Sequence, residues 1–69
     1  MPLSLEDIAC LVAKAELAYA RMPGGSPDLI RETVVKGGEV IVYGTDRKVP
    51  LARFRAGVSR CRVWVDKIS

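Results

Sequence analysis

The sequence predicts a small α+β domain in which one amphipathic helix covers a three-stranded antiparallel meander. Two patterns carry that prediction. Apolar residues recur at helical spacing in the first third of the chain, and apolar and charged residues alternate in the last third. Clusters of Gly, Pro, Ser and Asp separate the segments. The 69 residues suit one domain, 1–69, whose core is small. A chain of this length buries only roughly 60% of its unfolded surface. A hydrophobic share of 49% against 28% charged residues argues for a folded chain over a disordered one.

Ser4, with Asp7 three residues on, has the form of a helix N-cap. Leu5, Ile8, Val12, Ala15, Tyr19 and Met22 then recur at alternating spacings of three and four. This period predicts a helix over 5–22, ended by Pro23-Gly24-Gly25. The stripe is suited to covering a sheet, with Leu11 and Ala18 widening it. It could also serve as a short coiled-coil seam, although it lacks the three or four heptads that seam needs.

Ser26-Pro27-Asp28 reads as a second helix start, giving a short helix over 27–36 closed by Gly37. The β-branched run Thr33-Val34-Val35 weakens it and leaves an edge strand over 31–35 as the competing reading. Strands follow over 39–44, 49–56 and 59–67, with a turn centred on Asp46-Arg47. Pro50 cannot donate to a ladder and belongs at a strand start or an open edge.

Placing the last turn at Gly57-Val58 sets Arg55 opposite Arg60 and Arg53 opposite Arg62. Ala52, Phe54, Cys61, Val63 and Val65 then face the helix, joined by Ile41 and Tyr43. The four arginines share the outer face with Val40, Val42, Leu51 and Trp64. Facing arginines repel, and an exposed apolar patch beside them marks an interaction site. The candidate partner-binding residues are Arg53, Arg55, Arg60, Arg62, Trp64, Leu51 and Val42.

Charge supports this surface. Residues 1–35 hold three bases against five acids, and residues 36–69 hold eight bases against three acids. A basic second half points to a negative partner. Catalysis finds no footing, because histidine is absent and no nucleophile stands beside a base. No cofactor or metal is expected, since the glycine pairs lack a phosphate-loop context and the two cysteines form no ligand motif. Cys10 and Cys61 read as small buried hydrophobes, with a bridge between them as the alternative.

No secretory signal or membrane span is apparent, so the expectation is a cytoplasmic protein. The function expected is non-enzymatic binding of inhibitor, adaptor or regulatory type. The partner expected is an acidic protein surface, with nucleic acid as the alternative. Homo-oligomerisation through the helix or a sheet edge is compatible with either.

Overall fold

Ser4 begins the helix as its chemistry dictates. In the computed structural model, which describes residues 3–68, its hydroxyl accepts from the Asp7 N–H at 3.0 Å. The Asp7 carboxylate accepts from the Ser4 N–H at 3.3 Å, so each residue satisfies a backbone donor that the helix start leaves open. Helix α1 runs Leu5–Ala20, ending two residues before the expected stop. The row that meets the sheet is Leu11, Ala15 and Tyr19, spaced at four, with Ala18 and Met22 packed beside it. The expected stripe is correct at its C-terminal end and wrong at its start, where Leu5 is 85% exposed and Ile8 and Val12 are only half-buried.

The α+β class is as expected, but the sheet has four strands: β1 Glu32–Lys36, β2 Glu39–Tyr43, β3 Ala52–Ser59 and β4 Arg62–Lys67. They form an antiparallel meander in chain order, with α1 across one face. The helix expected over 27–36 is therefore corrected. Only Pro27–Leu29 makes a single 3-10 turn, and the rest becomes β1. Branching at Thr33, Val34 and Val35 favours the extended chain. Gly37 and Gly38, both at positive φ, supply the two-residue turn that returns it as β2.

The last hairpin turns at Arg60-Cys61, both at positive φ, and not at Gly57-Val58. Gly57 stays inside β3 for a packing reason. A Cβ there would lie 2.8 Å from Cζ2 of Trp64, whose indole covers the glycine from the neighbouring strand. This glycine marks a close approach, which a sequence can mistake for a turn.

Two register corrections follow. Arg55 pairs across with Asp66 and Arg53 with Ile41, so the facing arginine pairs do not form. Val42 pairs with Ala52, one residue away from the expected Ile41–Ala52 match. A one-residue slip exchanges the faces of a strand. Val40 and Val42 accordingly point under the helix at 0% exposure, and Ile41 and Tyr43 take the outer face.

The core is Leu11, Ala15, Tyr19, Val40, Val42, Ala52 and Phe54, with no buried polar or charged residue among the described ones. Thr33 reconciles its hydroxyl with the helix side by donating to Glu16 Oε2 at 2.6 Å. Strand β3 begins at Ala52, not at 49, and Val49 is exposed in the loop before it. Cys10 and Cys61 are both free and exposed, which corrects the expectation of burial and also the alternative of a bridge. Among the described residues, no helix is long and apolar enough to cross a membrane.

Candidate binding surface

The helix covers one face of the sheet, and strand alternation decides what the other face displays. Arg53 and Arg55 on β3 and Arg62 and Trp64 on β4 all project to this outer face, as the sequence predicts. Arg60 lies at the hairpin tip. The other two candidates are elsewhere. Val42 belongs to the core, and Leu51 is half-buried against it, with its side chain beside Gly44. Neither supplies the open apolar patch that the expected register called for. Val34, Ile41 and Tyr43 take that place, each half-buried on the outer face.

The outer face is also less basic than its arginine count suggests. Arg53 donates from Nε and Nη2 to Glu39 Oε1 at 3.1 and 2.7 Å. Arg55 Nη2 stands 3.8 Å from Asp66 Oδ2. Arg47, from the β2–β3 loop, pairs with Glu32 while its guanidinium carbon lies 4.8 Å from the centroid of the Tyr43 ring. These are exposed pairs, each contributing about 0.5 kcal/mol or less. They matter more as a pattern, because Glu32, Glu39 and Asp66 interleave acid among the bases.

Among the described residues, eight bases have no salt-bridge partner; Lys14, Arg21, Arg60, Arg62 and Lys67 lie at the β4 side, and Arg31, Lys36 and Lys48 lie elsewhere. Arg60 and Arg62 belong to the β3–β4 hairpin, Lys14 to α1, and Arg21 caps the C-terminal end of that helix. Lys14 and Arg21 line a shallow groove with Leu17, Val63, Trp64 and Val65, where the helix overhangs β4. Both lie outside the candidates read from the sequence. Their spacing of seven sets them on one side of the helix, a signal legible in the chain, but nothing there says that this side meets β4. Cations thus flank β4 from the helix side and from the outer face.

Trp64 occupies the centre of this arrangement. It is 43% exposed, with part of the indole seated on Gly57 and the remainder open. The close seating on Gly57 restricts its rotamers. Among the described residues, no group of three or more His, Cys, Asp or Glu is placed to hold a metal ion. Against protein-family models, curated proteins and solved structures, the chain gives no match, so function is to be read from this surface alone.

Proposed function

We propose that this protein is a small non-enzymatic binding module that docks an acidic protein partner at the β4 side of its sheet. Trp64 is the apolar anchor. Arg60 and Arg62 are the cations free to meet carboxylates from the outer face, and Lys14 and Arg21 meet them from the helix side. Arg55 can turn from its long contact with Asp66 to join them. The observation that carries this reading is the indole braced on Gly57 and half open, with unpaired bases on both sides. Trp and Arg are the residues that most often dominate binding energy, and a side chain held in place loses little entropy on docking.

The same residues could stack and neutralise a single strand of nucleic acid. The interleaved Glu32, Glu39 and Asp66 favour a protein instead, because a phosphate track would bring its charges past these acids. A displayed library of peptides, half of its positions Asp or Glu, tests the choice. Selection should enrich acidic sequences that bind wild type and lose binding to both Trp64→Ala and the double variant Arg60→Glu/Arg62→Glu. Equal retention by the two variants would remove the site. Saturable, salt-sensitive quenching of Trp64 by a mixed-sequence oligonucleotide, with no acidic peptide selected, would replace protein by nucleic acid.

A further inference from the structure

The other edge of the sheet carries a different message. The hairpin closed by Gly37-Gly38 makes Lys36 and Glu39 a hydrogen-bonded pair, and such pairs recur at every second residue. Val34 and Glu32 therefore bond to β2, while the N–H and C=O groups of Thr33 and Val35 point away from the sheet. Nothing among the described residues pairs with that edge. Unlike most natural edges, β1 has no proline or inward-pointing charge to block an incoming strand.

We propose that β1 is a self-association edge, pairing antiparallel with β1 of a second copy about a two-fold axis through Val34. In this register Thr33 lies opposite the second copy's Val35. The outward N–H and C=O groups of these residues then meet one another, as the alternation requires. Val34 meets its own counterpart on the outer face. Glu32 stands opposite the second copy's Lys36, and Lys36 opposite the second copy's Glu32. Opposite charges directly across a strand pair are stabilising, so Glu-Thr-Val-Val-Lys complements itself in this register.

The ground above this edge fits an identical partner. Val12, Ala13, Leu17, Ala20 and Ile30 line an open groove between α1 and β1, and its charged residues Glu16, Arg31 and Glu32 are of mixed sign. A second copy would bring the same apolar surface to it. Strand β4 also reads as self-complementary, from Arg62 through Trp64 to Asp66. There, however, Lys14 and Arg21 line the groove above, and a second copy would set cations against cations. The two edges are similar in backbone and opposite in what they admit.

Sedimentation of the full chain over a range of concentrations tests the proposal through charge reversal. Wild type should dimerise. Glu32→Lys alone and Lys36→Glu alone each place like charges opposite, and each should weaken the dimer by roughly tenfold or more. Mixing the two variants restores both opposite-charge pairs and should yield a one-to-one heterodimer, which no general loss of folding would produce. Arg62→Asp should leave the dimer intact. A wild type that stays monomeric at every concentration would overturn the proposal. So would single variants that dimerise as wild type does, a mixture that stays monomeric, or dissociation by Arg62→Asp in place of Lys36→Glu.

Discussion

The two edge strands of this sheet solve the same problem in opposite ways. Each leaves a row of backbone groups without a strand partner among the described residues, and each lies beneath a flank of the same helix. At β1 the helix offers Val12, Ala13 and Ala20, and the strand ends in charges of opposite sign. At β4 the helix offers Lys14 and Arg21, and the strand carries an open Trp64 between Arg62 and Asp66. On the proposed assignment, one helix seen from two sides decides which edge accepts which partner. The lesson is that an edge is specified by the side chains above it as much as by its own sequence.

The largest expected effect breaks the β4 half of this contrast. Trp64→Ala should cost an acidic peptide selected on wild type about 2 kcal/mol or more, roughly a thirtyfold rise in Kd by calorimetry. Self-association through β1 should be unchanged in the same variant. Val42→Ala sharpens the point from the other direction. Val42 pairs with Thr33 of β1 and Ala52 of β3 inside the core, so its truncation should lower unfolding free energy by about 2 kcal/mol in urea. Once folded, that variant should bind acidic peptide as wild type does.

That second prediction separates the structure from the reading of the chain alone, which put Val42 on the binding surface. The helix was legible because its signals are local: Ser4 and Asp7 cap each other, and Ala15, Tyr19 and Met22 keep a helical period. The α+β class and the outward direction of Arg53, Arg55, Arg62 and Trp64 were legible because alternation along a strand is local too. What failed was register, which depends on where a turn falls. Gly57 imitates a turn residue, yet its missing side chain is required by an indole seven residues away. Val40 and Val42 alternate with Ile41 and Tyr43, and both pairs are apolar, so sequence could not say which pair lies inside. Lys14 and Arg21 became part of the surface only through the packing of α1 beside β4.

Smaller effects test the details. Gly57→Val inserts a side chain where the indole rests, and overpacking of this kind costs about 1–3 kcal/mol. Trp64 emission should shift to the red as the ring is displaced, and denaturant unfolding should show the loss. Lys14→Glu/Arg21→Glu should weaken acidic peptide binding by roughly fivefold at low salt, and by less at high salt, because these charges are exposed. Glu39→Gln removes the negative charge that Arg53 grips with two donors while keeping an acceptor oxygen, and should change stability by only about 0.5 kcal/mol.

The measurement that bears most directly on the contrast between the edges is amide hydrogen exchange, followed residue by residue by NMR. The amides to compare are Thr33 and Val35 on β1 against Val63 and Val65 on β4. Exchange at Thr33 and Val35 should slow as protein concentration rises. At Val63 and Val65 it should stay fast, slowing only when a selected acidic peptide is added. Concentration-dependent protection at Val63 and Val65, with Thr33 and Val35 fast throughout, would contradict the assignment of the two edges.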